Sequence, residues 1–396
     1  MRKRVILKTV SPVHVGGKTQ ELTPLEAVIN QGYCYVVDES KMGRELLKKD
    51  MMDCLYTDID QAGRNFQLER FLQQVKLLNT DFLQKSAAYS SATRLRSTPR
   101  RLRPFVRDAW NCPFIPGSSI KGVLRTAVMY GVLKRMKEKK PEDFKRFLVN
   151  EVKKKLREFN NADEWKRRKP WFKDKIKRNI AGAIEGKLMQ NYELPLHTNA
   201  RRGPTSQQRD IMRAVKVSDT TPLDKDSLSL EEVQVLSLTK GNEVYLKTQL
   251  FTEVIPPGAE MEFSITLDEN ILSDFSKKTE KNGLPYSSME DLLSFLNEFT
   301  TDLWQFEKSY WGGVYGPGSS EMQEFYQQES AAMRLGWGSG LGGASLLMLL
   351  PEELRRELRD SLFEPRGQYE FPKSRRAVMD GDSPRWPLGW VTISIY

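Results

Sequence analysis

Between Lys134 and Arg178 the chain carries 19 basic and 8 acidic residues. Taking an ion out of water costs several kcal/mol even after relaxation, so a run this charged has to lie on the outside of whatever the rest folds into. Its KxxKxKK-type faces, interleaved with Trp165, Trp171 and Phe172, predict a helical insertion over residues 134–200. The excess of +11 in this stretch exceeds the formal +10 of the whole chain, so the remaining 43 basic and 44 acidic residues nearly cancel. Such polarisation favours a polyanionic partner, nucleic acid first. A solvated helical face accounts for the same run taken alone.

The insertion interrupts an α+β pattern. Arg4 to Val10 alternates basic and apolar residues, which predicts a strand with Val5, Leu7 and Thr9 inward. Ser11-Pro12 ends it, Gly16-Gly17 makes a loop, and Thr23-Pro24 predicts a short helix with Thr23 as cap and Pro24 at its first position. Gly32 to Asp38 reads as a second strand, and the spacing of Phe71, Val75 and Leu78 makes Ser40 to Ser86 helical. After the insertion, Val233–Leu238 and Glu243–Glu253 read as paired strands, and Met261–Leu267 as another beyond the Pro256-Pro257-Gly258 turn. Asp291 to Tyr310 is a helix with a core stripe of Leu292, Phe295, Phe299 and Trp304; a helix from Pro351 to Leu362 and a strand from Gly389 to Tyr396 complete the chain. The division expected is residues 1–270, carrying the insertion, and a C-terminal helical and glycine-loop part, 271–396, packed on it.

Several chemistries lack their residues. Cys34, Cys54 and Cys112 form no CxxC pair and their odd count argues against a disulfide framework, so a reducing cytoplasm is expected. His14 and His197 are the only histidines, too few for a soft-metal centre, and no metal or other cofactor is expected. G-x-S-x-G, H-E-x-x-H and G-x-x-x-x-G-K-[ST] are missing. The longest apolar run, Ala344 to Leu350 broken by Ser345, is too short to span a bilayer, and Met1 to Val10 has no signal-peptide core.

Three segments carry chemistry. Arg94, Arg96, Arg100, Arg101, Arg103 and Arg107 fall in one loop without an acid, and Pro99 and Pro104 keep it extended. Pro113-Phe-Ile-Pro-Gly-Ser-Ser-Ile-Lys-Gly-Val-Leu-Arg125 is a turn into a helix. Ser118 or Ser119 can cap it, Lys121 and Arg125 project together at i and i+4, and the free amides of its first turn suit an anion. An ordinary capped helix packing Ile120, Leu124 and Val128 fits the same residues. Arg334-Leu-Gly-Trp337-Gly338-Ser-Gly340-Leu-Gly342-Gly343 holds five glycines in eight residues, which lets backbone amides approach a ligand. Its formal GxGxxG stands too near the carboxyl end for a dinucleotide fold, where it should close an early strand. His14, in Ser-Pro-Val-His-Val-Gly-Gly, is either a general base for RNA cleavage through the 2′-hydroxyl or, with no acid partner in view, a structural or RNA-contacting histidine.

The chain resembles the RAMP superfamily of CRISPR proteins, and within it the fifth subunits of type III-A Csm effector complexes. The residues that carry the resemblance are SPVHVGG (11–17), TPLEAVI (23–29), YVVD (35–38), PFIPGSSIKGVLR (113–125), VSDTTPL (217–223), RLGWGSGLGG (334–343), FPKSRR (371–376) and PLGW (387–390). They occur in the family's order across nearly the whole chain, with 134–210 and 265–330 unmatched. The resemblance implies an RRM-like, ferredoxin-type core with large helical insertions and room for a second, degenerate RRM-like unit. It implies a non-catalytic RNA-binding subunit that caps the 3′ end of the guide RNA and supports its maturation and complex assembly. The partners implied are guide RNA, other RAMP backbone and small subunits, and host nucleases that trim the guide; no membrane is involved. No RNP1-type aromatic segment is present, Gly32–Val36 being a poor substitute, so backbone contacts rather than base readout are expected. The RNA-contacting set is then His14, Arg94, Arg96, Arg100, Arg101, Arg103, Ser118, Ser119, Lys121, Arg125, Arg334, Trp337, Gly338, Gly340, Gly342 and Gly343. The alternatives are a metal-independent RAMP endoribonuclease using His14, a paralogous RAMP subunit of another type III complex, and a protein-docking subunit.

Overall fold

The computed structural model describes all residues except 18–20, 193–204, 279–282 and 364–371, so His197 and Phe371 lie outside the described residues. In chain order the strands and main helices are β1 (Arg2–Thr9), β2 (Ala27–Asn30), β3 (Tyr33–Val37), β4 (Ala87–Thr93), α1 (Gly117–Lys139), α2 (Asn150–Asn160), α3 (Pro170–Leu188), β5 (Val215–Val217), β6 (Ser229–Leu238), β7 (Val244–Val254), β8 (Glu260–Leu267), α4 (Met289–Gly312), β9 (Met333–Arg334), α5 (Glu352–Leu362), β10 (Arg375–Asp380), β11 (Ser383–Pro387) and β12 (Trp390–Ile395).

β1 has the period of two that its sequence dictates, with Val5, Leu7 and Thr9 buried. It pairs antiparallel with β8 on one side and β12 on the other, and the whole sheet runs β5-β8-β1-β12-β9. Taken in chain order, β1, α1, β5, β8, α4 and β12 form a β-α-β-β-α-β unit whose fourth strand lies beside the first, the ferredoxin-like arrangement. Both helices bury their apolar stripes in one core with Val5, Leu7, Phe263 and Ile265. They cross closely, because a Cβ on Gly131 of α1 would stand 2.1 Å from the Phe295 ring of α4. A boundary at residue 270 falls inside this core, since the C-terminal part supplies α4 and β12.

The basic insertion sits between α1 and β5. Residue 134 is not its edge, because α1 runs unbroken from the glycine-serine turn to Lys139. Beyond it, α2 and α3 pack through Val152, Leu156, Phe159, Ile176, Ile180 and Ile184, all buried. A second sheet, β11-β10-β6-β4-β3-β2 with β7 on the far side of β6, occupies the place left for a second unit. Its strands come from three excursions out of the first core: before α1, between β5 and β8, and between β9 and β12.

Two local expectations are corrected. Thr23-Pro24 starts a single turn rather than a helix: the Thr23 amide and hydroxyl donate to the Glu26 carboxylate, and the chain leaves directly into β2. The capping residues are present, but the apolar run Ala27-Val28-Ile29 pairs with β3 across a turn in which Gln31 and Gly32 both have positive φ, 47° and 82°. Neither Ser118 nor Ser119 caps α1. Pro116 stands at that position, and the Gly117 amide donates to Asp219 Oδ1 at 2.7 Å. Gly117 itself is required there, since a Cβ would lie 2.3 Å from the Val217 carbonyl.

Candidate nucleic-acid interface

Trp337 is the meeting point of three segments far apart in sequence. The Arg103 guanidinium lies 4.6 Å from its ring centroid and that of Arg376 4.1 Å, while the His14 ring meets it edge-on at 5.9 Å. Close packing makes this possible. A Cβ on Gly336 would sit 2.1 Å from the His14 carbonyl, and one on Gly338 would sit 2.4 Å from Leu388 Cβ. These two glycines therefore let the turn press against the SPVHVGG and PLGW segments. Gly340, exposed and at φ 62°, has nothing within 4 Å of a Cβ, and Gly342 and Gly343 lean on Leu303.

Behind this turn lies a cavity of about 390 Å³ lined by Gly338–Gly342, Glu307, Arg334, Arg375, Arg376, Lys247 and Lys373, among others. Arg334 and Arg375 are almost completely buried and share one carboxylate: Arg375 Nε donates to Glu307 Oε2 at 2.8 Å, and Arg334 Nη1 lies 3.5 Å away. Arg334 Nε also donates to the Leu388 carbonyl. Arg375 Nη2 and Arg376 Nε are buried without a hydrogen-bond partner among the described residues. An orphaned buried donor costs about 1–3 kcal/mol, and more on a charged group. Burial, then Arg103 and Arg334, pull the Arg376 pKa down. Among the described residues that line the cavity, three arginines stand beside one carboxylate, that of Glu307.

A second cavity of about 430 Å³ is lined by Trp337 itself with His14, Gly16, Gly17, Glu21, Arg103, Pro104 and Gly336. His14 is 3% exposed. Its Nδ1 lies 2.7 Å from the Glu253 carbonyl and 2.8 Å from Thr252 Oγ1. A carbonyl only accepts, so Nδ1 carries the proton and the neutral ring leaves Nε2 bare. Burial lowers its pKa to about 4; the bond to the Glu253 carbonyl opposes this and Arg103 adds to it.

The remaining predicted residues line neither cavity. Within the arginine loop, Arg94 is paired with Asp380, and Arg101 lies 3.7 Å from Glu21, the carboxylate to which Arg103 of the second cavity donates at 3.0 Å. Arg96 and Arg100 are exposed. Arg107 serves the fold: buried under the Tyr89 ring, it meets Glu253 at 3.0 Å, while Ser91 and the Phe105 amide also donate to that carboxylate. Ser118 is exposed at the start of α1. The i, i+4 spacing does bring Lys121 beside Arg125, and burial lowers the Lys121 pKa, with Arg125 adding to the effect and Asp210 opposing it. The anion there is supplied by the chain, since Arg125 grips both carboxylate oxygens of Asp210 and also Glu185.

The open face of the first sheet carries no aromatic from β1 or β8. It is crossed instead by charge pairs, Arg4 with Glu262 at 2.6 Å and Lys8 with Glu260 at 3.1 Å. Sequence reasoning missed Arg375, Arg376, Lys373, Lys247 and Glu307 as site residues. The first three lay in view in the FPKSRR segment, whereas nothing in the sequence distinguishes Glu307 from other helix carboxylates or Lys247 from other strand lysines. No helix among the described residues is long and apolar enough to cross a membrane.

Comparisons with known proteins agree with this architecture. The RAMP superfamily profile matches residues 6–314. Csm5 of Streptococcus thermophilus, a CRISPR system protein, is 26% identical over 323 residues, covering 78% of this chain and 75% of its own. Csm5 of Methanocaldococcus jannaschii is 20% identical over 98% of this chain and 87% of its own. A chain of a type III-A CRISPR-Cas Csm–crRNA–target RNA ternary complex seen by cryo-EM superposes with a TM-score of 0.67 at 23% identity, all of both chains covered. The crystal structure of T. onnurineus Csm5 gives 0.61 at 19% identity, over 98% of this chain and 99% of that one. With the ferredoxin-like order of its first sheet and a family match across more than half its length, the chain belongs to the RAMP superfamily.

Proposed function

We propose that this protein is a non-catalytic, RNA-binding subunit of a type III-A CRISPR effector complex, where it caps the 3′ end of the guide RNA and supports guide maturation and assembly. Its similarity to Csm5 proteins, and to a chain of a Csm–crRNA–target RNA complex, supports the complex and the partners: guide RNA and the other RAMP and small subunits. Host nucleases that trim the guide are part of the same proposal. The observation that supports the RNA contact is the basic cavity behind the glycine turn, where, among the described residues, three arginines and Lys247 line the same space as one carboxylate and two guanidinium nitrogens have no hydrogen-bond partner. Contacts of this kind position a strand without reading its bases, which suits a guide that supplies specificity by pairing. His14 belongs to the fold in this reading, as a buried neutral ring tied to the Glu253 carbonyl.

The test is guide RNA binding by the Lys247→Ala variant, since Lys247 lines the cavity from an exposed strand position and its removal leaves the core intact. Affinity is expected to fall severalfold, and the log–log salt slope by about 0.7 for each phosphate of a single strand that is no longer neutralised. In the purified complex the co-purifying guide should change in 3′ length. Unaltered affinity and slope would remove the cavity from the RNA path. Cleavage of RNA by the pure protein in EDTA, abolished in His14→Ala, would replace this reading with the endoribonuclease.

A further inference from the structure

The tip of the basic insertion exposes two large aromatic rings that the proposed function does not use. Trp165, on the short helix Glu164–Arg167, and Trp171, in the first turn of α3, are 57% and 53% exposed. Tryptophan is highly buried on average, so two exposed rings six residues apart are a feature to account for. Trp171 is held rather than loose: its ring meets Phe172 edge-on at 5.6 Å, and Phe172 in turn stacks on Phe159 at 5.8 Å and 20°. Lys166 Nζ lies 5.6 Å from the Trp165 ring centroid.

Charge surrounds both rings. Lys166-Arg167-Arg168-Lys169 separates them, and from Glu164 to Lys175 six basic residues stand against two acids. Lys166 pairs with Asp163 at 2.9 Å and Arg168 with Glu164, both along the same short stretch and both exposed. Exposed pairs of this sort are weak and exchange readily for a phosphate. Surfaces that dock proteins are depleted in lysine at their centres, whereas surfaces that bind single-stranded nucleic acid combine basic side chains with stacking aromatics. Lysines at 166, 169 and 175 put this tip in the second class.

We propose that the tip of the insertion is a second nucleic-acid contact, which takes single-stranded RNA by stacking bases on Trp165 and Trp171 and placing phosphates against Lys166, Arg168 and Lys169. None of these residues lines the cavities around Trp337, so the contact is independent of the one proposed above. It would hold a stretch of strand beyond the one seated at the cavity.

The experiment titrates the full chain with a short fluorescein-labelled oligouridylate. Wild-type tryptophan fluorescence should be quenched on binding, and Trp165→Ala/Trp171→Ala should bind about tenfold more weakly, as expected when base stacking is removed. Trp165→Phe/Trp171→Phe should recover most of the affinity, which a merely structural role would not require. Lys166→Gln/Arg168→Gln/Lys169→Gln should lower the salt slope by about 2. Wild-type affinity in the alanine pair, with its circular dichroism intact, would overturn the proposal. Equal competition by polyglutamate would also overturn it, in favour of an acidic protein partner. Loss of binding in Lys247→Ala with none in the tryptophan pair would sink this inference alone; no loss in either would sink both readings.

Discussion

Two regions of this molecule hold positive charge in opposite ways. At the glycine turn Arg334 and Arg375 are buried and share the Glu307 carboxylate, Arg334 also donating to the Leu388 carbonyl, while Arg376 lies half-buried against the Trp337 ring. In the insertion the cations are many and exposed, and most of their visible partners lie three or four residues away, as in Lys145–Glu142, Arg146–Asp143 and Lys155–Glu158. The first arrangement is preorganised, with two buried guanidinium groups on one carboxylate. The second is a solvated field that a counter-ion can rearrange at little cost. Net charge therefore points to the class of partner, while unpaired and immobilised charge points to the place.

The contrast between the two regions is sharpest at the shared carboxylate. Glu307→Ala leaves Arg334 and Arg375 buried without their counter-ion, and a loss of about 3–5 kcal/mol is expected in urea unfolding. Added phosphate should restore part of that loss if the cavity accepts anions. Glu253→Ala should cost a similar amount, since it strands Arg107 together with the Ser91 and Phe105 donors.

Acid titration gives the next largest effect. The His14 pKa is about 4 in the folded chain against 6.5 unfolded, so between those values the unfolded state binds more protons. Stability is then complete above pH 6.5 and is lost as pH falls toward 4, by about 3 kcal/mol at 1.36 kcal/mol per pKa unit. Unfolding curves at pH 7 and pH 4.5 should show a smaller drop in His14→Gln than in wild type. An equal drop would mean that the imidazole is reached by water in the native state.

The insertion supplies the smallest effects. Lys145→Ala and Lys155→Ala should each change stability by no more than about 0.5 kcal/mol, because the pairs they break lie at the surface. A cost above 2 kcal/mol in either would mean that the insertion's charges are organised as tightly as the arginines around Trp337, and the contrast would fail.

Periodicity and charge were enough to determine a good deal: the inward face of β1, the paired β6 and β7, the core stripe of α4, the exposed helical insertion, and the arginine and glycine segments from which the site is built. These are local properties, set by which side of a strand or helix repels water. Pairing partners were not available at that level. Thr23-Pro24 has the residues of a helix start, yet the chain folds into β2 because β3 lies across the Gln31-Gly32 turn. Ser118 and Ser119 look like caps, yet Asp219, 102 residues away, holds the first amide of α1. Only the tertiary structure decided which cations are paired within the chain, since it set Arg125 against Asp210 and Glu185 and, among the described residues, left one guanidinium nitrogen each of Arg375 and Arg376 without a hydrogen-bond partner. The physical reason is that a side chain's charge is written in the sequence, but its desolvation and its counter-ion depend on neighbours brought together from distant parts of the chain.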